Sequence, residues 1–190
     1  MTEGAFDVTL GALVKCWGFF RRQGRVPSAE ELDEARRRSG WDKVELDPER
    51  RRVRFLVPGV ELSLGAVGKG YVVERVLSAL AGWGVSCALV QSGGSTVGAL
   101  GVPPIDERGW PAGVRPQGEG GQRLGVVHLR DESLSISGDF EQHFVEDGVR
   151  YGHILDPRTG RPAQGMRSVC VIHPKATDAD ALSTALVVLD

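Results

Sequence analysis

The sequence from residue 151 to residue 162, Tyr151-Gly-His-Ile-Leu-Asp-Pro-Arg-Thr-Gly-Arg-Pro162, joins the end of a predicted strand to a turn rich in Pro and Gly. A second stretch, Thr177-Asp-Ala-Asp-Ala-Leu-Ser-Thr184, opens a predicted helix that carries Asp180 and Thr184 one turn apart. A carboxylate and a hydroxyl are groups that Mg²⁺ accepts from a protein while water and phosphate fill its other positions. Together the two stretches predict a metal-assisted phosphate site.

The composition indicates one globular domain over residues 1–190. The chain has 190 residues and is 41% hydrophobic, which is enough to form a core. Lys and Arg number 23 against 25 Asp and Glu, so the net charge of −2 gives no basic excess for nucleic acid. The three cysteines are far apart, which argues against a disulfide framework and a Cys-x-x-Cys metal site, and we interpret them as buried small hydrophobic residues.

No apolar run approaches the roughly 20 residues that a membrane-spanning helix needs. The first residues also lack the basic and apolar segments of an export signal. We therefore expect no membrane span, and a cytoplasmic location for the sequence as written. A cell-envelope location is expected instead if an export signal has been removed.

The pattern of apolar, turn and capping residues predicts an α+β domain with mixed or antiparallel sheets and about three helices. Ser28-Ala-Glu-Glu31 is a capping box that begins a helix ending near residue 39, and the other helices are predicted over 71–80 and 177–189. The predicted strands are 44–46, 53–57, 60–64, 86–90, 123–129, 134–137, 143–145, 149–155 and 167–173. Residues 101–121, with four prolines and six glycines, are expected to form an irregular loop.

Three glycine-containing turns could bind an anion through their backbone amides. Gly65-Ala-Val-Gly-Lys-Gly70 precedes a helix, but it lacks the first glycine and the final Ser or Thr of a phosphate-binding P-loop. Ser92-Gly-Gly-Ser95 and Ser137-Gly-Asp139 each follow a predicted strand. A tight turn without a ligand is the alternative in each case.

Two individual side chains also have two interpretations each. His153 could be a hydrogen-bonded core histidine, or a general base or phosphate donor. Asp180 could complete the capping box Thr177-x-x-Asp180, or it could ligate a cation together with Thr184.

Taken in chain order, the segments of this sequence resemble the ApbE-type flavin transferases, the family of FAD:protein FMN transferases. The resemblance is most specific at His153-Ile-Leu-Asp-Pro-Arg-Thr-Gly160 and Ala179-Asp-Ala-Leu-Ser-Thr-Ala185. It also includes residues 6–18, 64–71, 88–94 and 137–141, and so extends over nearly the whole chain. The resemblance implies an ApbE-like domain over 1–190, shorter at both ends than is usual in the family.

The family's chemistry, as this resemblance implies it, is transfer of FMN from FAD to a threonine hydroxyl of a target protein, with release of AMP. The implied cofactor is Mg²⁺, the substrate is FAD, and the acceptor is a threonine-bearing flavoprotein subunit. The metal ligands would be the carbonyl of Gly68 and the side chains of Asp180 and Thr184. The FAD site would include Lys69, Gly70, Gly93, Gly94, Ser137, Gly138, Asp139 and His153. His153 is the first candidate for the base that accepts the threonine proton, and Asp180 could share that role.

The sequence departs from the usual family pattern at several positions. Ser63 and Ala66 stand where the family usually has Asp and Gly, and Ile136 stands where it has Thr. These replacements support an alternative, a homologue that binds FAD or keeps the fold but is catalytically impaired. A phosphate-binding enzyme unrelated to flavin is the third hypothesis.

Overall fold

The computed structural model of the chain describes residues 2–114, 124–139 and 142–189. Within these ranges the α-helices are α1 Gly11–Cys16, α2 Ala29–Arg37, α3 Gly68–Gly82 and α4 Ala176–Leu189. The strands are β1 Val44–Asp47, β2 Arg52–Phe55, β3 Ala88–Ser92, β4 Thr96–Leu100, β5 Trp110–Val114, β6 Gly125–Leu129, β7 Ser133–Gly138, β8 His143–Glu146, β9 Val149–Gly152, β10 Leu155–Asp156, β11 Arg161–Pro162 and β12 Ser168–His173. The predicted α+β class is confirmed.

A four-stranded antiparallel sheet, in the order β12-β7-β4-β3, forms the centre of the fold. Because side chains alternate along a strand, β7 has two different faces. Its serines face helix α4, where Ser135 contacts Asp180. On the opposite face, Leu134 packs in a hydrophobic cluster with Ala112 of β5 and Leu129 of β6. The sheet therefore offers a polar surface to the helices and an apolar surface to the β5–β6 hairpin.

Helices α3 and α4 cross closely at their N-terminal ends. A Cβ atom added to Gly70 would lie 2.7 Å from the Cβ of Asp180 and still closer to the carbonyl oxygen of Ala176. Only glycine fits this crossing without a shift of the backbone. Glu74 of α3 also caps α4, since its Oε2 accepts a hydrogen bond of 3.1 Å from the Thr177 amide. These contacts hold the starts of the two helices together.

The N-terminal helices enclose an aromatic core next to the β8–β9 hairpin. Trp17 is almost completely buried, and its indole N–H donates to the carbonyl oxygen of Gly160 at 2.9 Å. Its ring lies 5.6 Å from that of Tyr151, which stacks on Phe144 at 5.0 Å. The segment 151–162 is thereby fixed against the first helix of the chain.

Most predicted elements are confirmed, with shifts of a few residues at their ends. Ser28 and Glu31 form the capping box of α2. The turn at 147–148 joins β8 to β9, and both of its residues have positive φ. The predicted helix 177–189 is α4.

Four predictions are wrong. Residues 60–64 form no strand. Glu61 makes an isolated β-bridge to Leu10, and the segment has no further strand pairing within the described residues. Residues 110–114, expected in a loop, form β5, which pairs with β6 despite containing Pro111; residues 115–123 lie outside the described ranges.

The predicted strand 149–155 stops at Gly152, because residues 155–156 pair instead with β11. The cysteines are partly buried at positions 16 and 87 and exposed at 170, not buried.

No helix in the described ranges is both long and apolar enough to cross a bilayer.

Candidate functional site

Asp180 lies at the centre of the candidate site. Its side chain is only 1% exposed, although it is carried by the first turns of α4. The Gly70 amide donates to its Oδ2 at 2.9 Å, and the Ser135 hydroxyl donates to its Oδ1 at 3.2 Å. Thr96 is a further, longer donor at 3.4 Å. A buried carboxylate needs such partners, because desolvation of an unpaired charge is very costly.

The capping-box interpretation of Asp180 is wrong for its own helix. The carboxylate accepts from Gly70, the third residue of α3, while Glu74 accepts from the Thr177 amide. Asp180 therefore caps the neighbouring helix, whose first amides have no partners within that helix. The positive end of the α3 dipole also favours a negative charge at this position.

Lys69 forms an ion pair with Asp180. Its Nζ lies 3.5 Å from Oδ1 of Asp180 and donates to the carbonyl oxygen of Gly65 at 3.1 Å. Lys69 and Gly70, which follow Gly68 at the beginning of α3, both contact this carboxylate.

Thr184 joins the same site from the next turn of α4. Its hydroxyl lies 3.0 Å from that of Ser137, which in turn lies 2.7 Å from that of Ser183. The structure thus brings the predicted residues Lys69, Ser137, Asp180 and Thr184 together, although the chain separates Lys69 from Asp180 by more than a hundred positions.

The glycine turn between β3 and β4 lies against Lys69. Gly93 and Gly94 have φ values of 62° and 75°, in the left-handed region that favours glycine. A Cβ added to Gly93 would lie 2.9 Å from Cδ of Lys69. Glycine at this position therefore lets the turn approach the lysine side chain.

A cavity of about 310 Å³ opens beside these groups. Lys69, Ser95, Ser137, Gly138, His153 and Thr184 are among the residues that line it. The polar face of β7, the start of α3 and the segment after β9 thus converge on one space that could accept a phosphate-bearing ligand.

His153 lies in the bend between β9 and β10 and is partly buried. Its Nδ1 lies 3.1 Å from the carbonyl oxygen of Gln142, and its ring meets Phe19 edge-on. A carbonyl oxygen can only accept, so this hydrogen bond requires the proton on Nδ1. A neutral imidazole then carries its basic lone pair on Nε2.

Asp139 is a predicted site residue that does not join the group. Its Oδ2 accepts from Nε of Arg150 at 2.8 Å. Both residues line a second cavity of about 180 Å³, on which Arg167 also lies. The next residues of the motif, 140 and 141, lie outside the described ranges.

Thr96, Ser135 and Ser183 belong to the site although no sequence pattern predicted them, and Ser95 was predicted only as the end of a turn whose amides could bind an anion. The alternation of serines at positions 133, 135 and 137 on one face of β7 was the pattern that could have identified part of this set. A strand whose polar face is buried is recognisable only when the partner that needs polar contacts, here Asp180, is known.

The donor set fits a hard cation that keeps several water or phosphate ligands. No group of three or more His, Cys, Asp and Glu side chains forms a metal cluster within the described parts of the chain. The candidate donors are the Asp180 carboxylate, the Thr184 hydroxyl and the Gly68 carbonyl, which are oxygen ligands of the type that Mg²⁺ prefers.

Comparison with known proteins gives consistent matches over this chain. The model of the ApbE family matches residues 1–190. The chain is 38% identical to the FAD:protein FMN transferase of Treponema pallidum over 200 residues, covering 98% of this chain and 55% of that protein. It is 34% identical to the Haemophilus influenzae protein of the same name, covering 100% of this chain and 56% of that protein.

Solved structures agree with these matches. The ApbE protein of Thermotoga maritima superimposes with a TM-score of 0.89 at 39% identity, over 99% of this chain and 60% of that one. The flavinyl transferase ApbE of Pseudomonas stutzeri, in its apo form, gives a TM-score of 0.85 at 35% identity, over 99% of this chain and 58% of that one. The chain spans little more than half the length of these relatives.

Proposed function

The chain belongs to the ApbE family, and we propose that its protein transfers FMN from FAD to a threonine hydroxyl of a target protein, with Mg²⁺ as cofactor. The observation that carries this proposal is the convergence of Lys69, Asp180 and Thr184 beside a cavity that His153 also lines. The names of the similar proteins support the same activity.

The proposed reaction is a displacement at the FMN phosphorus of FAD. The threonine oxygen forms a new bond to this phosphorus, and the bond to the bridging oxygen of the diphosphate breaks. AMP leaves with the bridging oxygen and its electron pair, and the threonine proton passes to a base. The products are a flavin phosphoester of threonine and AMP.

Developing negative charge on the leaving phosphate requires nearby positive groups. The Lys69 ammonium supplies one such group at the edge of the cavity. Gly68, Asp180 and Thr184 are the residues that would hold Mg²⁺, which supplies charge neutralisation to the diphosphate when bound. Asp180 is already ordered for this role by the Gly70 amide and the Ser135 hydroxyl.

His153 is the proposed general base. The Gln142 carbonyl oxygen fixes the Nδ1–H tautomer of His153, in which Nε2 is the basic ring nitrogen. A neutral imidazole nitrogen can accept a proton from a hydroxyl that is losing it in the transition state.

A second candidate function is supported by the residues that line the cavity. Ser63, Ala66 and Ile136 all lie on it, and they are three of the positions at which the sequence departs from the usual family pattern. A protein that binds FAD without transferring FMN is the function that these replacements favour.

One experiment separates the two functions. The protein is incubated with FAD, Mg²⁺ and a threonine-bearing peptide, and peptide mass and AMP are measured. A mass gain equal to that of FMN less water, with equimolar AMP, supports transfer. FAD binding without either product supports the second function, and failure to bind FAD rejects both.

A further inference from the structure

Ser95 has a buried hydroxyl that finds no hydrogen-bond partner among residues 2–114, 124–139 and 142–189. The residue is 5% exposed and lines the cavity beside Lys69. Among the described residues, Ser95 Oγ is the one buried side-chain nitrogen or oxygen atom that makes no hydrogen bond. Such groups are uncommon in folded proteins, because burial removes a hydroxyl from water without replacing its hydrogen bonds.

The backbone holds Ser95 in place. Its carbonyl oxygen accepts from the Ile136 amide at 2.9 Å, and it follows directly on the turn that contains Gly93 and Gly94. The next residue, Thr96, is hydrogen-bonded to Ser135 at 3.0 Å. The position of the hydroxyl is therefore set by the sheet.

The surroundings of Ser95 favour an anionic oxygen as its partner. The neighbouring turn lies against the side chain of Lys69, a cationic residue that lines the same cavity. A hydroxyl donor beside an ammonium group complements a phosphate oxygen, and a hydrogen bond to a charged acceptor is stronger than one to a neutral acceptor.

We propose that Ser95 is a binding residue whose hydroxyl donates a hydrogen bond to a non-bridging oxygen of the ligand's diphosphate. This inference rests on the proposed function, since it assigns the partner within the FAD site. It predicts that Ser95 distinguishes ligands with a diphosphate from those without one.

The test compares the wild-type chain with Ser95→Ala by equilibrium binding of FAD, ADP and riboflavin in the presence of Mg²⁺. We expect the dissociation constants of FAD and ADP to rise roughly tenfold to a hundredfold, as for loss of a hydrogen bond to a charged group. The dissociation constant of riboflavin, which has no phosphate, should stay within twofold. The melting temperature of the ligand-free protein should not fall, because the substitution removes an unpartnered buried group.

Ser133→Ala is the matched control, because Ser133 is a buried serine of the same sheet that lines a different cavity. It should leave all three dissociation constants unchanged. Unchanged FAD and ADP binding in Ser95→Ala, or an equal loss of riboflavin binding, would overturn the assignment while leaving the proposed function intact. A wild-type protein that binds neither FAD nor ADP would overturn the proposed function, and the role of Ser95 with it.

Discussion

Replacement of Asp180 tests both the architecture and the proposed chemistry. Asp180→Ala removes the acceptor for the Gly70 amide and the Ser135 hydroxyl, which are buried with it. We expect a loss of about 3–5 kcal/mol of unfolding free energy, as when a buried polar network loses one member. Asp180→Asn keeps an oxygen for the amide and an N–H₂ group for the hydroxyls, so it should cost only about 1–2 kcal/mol.

The assay is urea unfolding followed by a Mg²⁺ titration of each variant. With a slope of about 2 kcal/mol per molar urea, the midpoint should fall by about 2 M for Asp180→Ala and by less than 1 M for Asp180→Asn. Asp180→Asn should also lose Mg²⁺-dependent FMN transfer, because an amide is a much weaker ligand for Mg²⁺ than a carboxylate. Asp178→Asn is the matched control on the same helix, since Asp178 is about half exposed.

Two results would refute the reasoning. If Asp180→Ala unfolds at the wild-type urea concentration, the buried network does not stabilise the crossing of α3 and α4. If Asp180→Asn keeps wild-type transfer and Mg²⁺ dependence, Asp180 is not a metal ligand.

Three further predictions concern the same region. Hydrogen bonds from Thr177 hold the pKa of Glu74 below its ordinary value. The stability that ionised Glu74 contributes is therefore complete above its ordinary pKa of about 4.3 and is lost as the pH falls through the lowered value. Glu74→Gln should cost about 1 kcal/mol at pH 7, and its difference from wild type in urea unfolding should vanish at low pH. Gly70→Ala should destabilise by about 3 kcal/mol or more, because its Cβ would press on Asp180 and on the Ala176 carbonyl. His153→Gln should slow FMN transfer by roughly 10²–10⁴-fold in single-turnover assays, with a much smaller change in FAD affinity.

Each of these predictions has a control or a contrary outcome. Gly68→Ala should change the unfolding free energy by less than about 1 kcal/mol, because its added Cβ would meet only Leu64 at 3.9 Å. His143 is exposed, so His143→Gln should transfer FMN at the wild-type rate. A Glu74→Gln deficit that persists unchanged at pH 3 would contradict the assigned ionisation, and a fully active His153→Gln would exclude His153 as the base.

Local patterns predicted the helices of this fold better than its long-range pairing. The capping box at Ser28 and the helix after Gly70 depend on residues close in sequence, and both are present. The segment 60–64 is apolar enough to be a strand, but among the described residues it pairs only through one bridge, from Glu61 to Leu10. Strand pairing depends on a distant partner, which apolar alternation alone does not identify.

In the candidate site, too, a local sequence pattern and a long-range contact give different results. The pattern Thr177-x-x-Asp180 is locally a capping box, yet the carboxylate reaches Gly70 instead. The tertiary contact overrides the local preference because the crossing of the two helices places the Gly70 amide of α3 against Asp180. Helical spacing and the family motifs both pointed to Asp180 and Thr184, whereas the alternating serines of β7 could be interpreted only once Ser135 was seen to contact Asp180.

The hydrogen bond from Gly70 to Asp180 joins residues that are 110 positions apart. During synthesis, the first turn of α3 emerges from the ribosome long before the carboxylate that caps it has been made. The Gly70 amide therefore lacks its Asp180 acceptor until α4 has been synthesised and has packed against α3. Closing so long a loop of chain is slow compared with forming a helix. The contact between Gly70 and Asp180 therefore forms late in folding, and mutations in it should act more on the rate of unfolding than on the rate of folding.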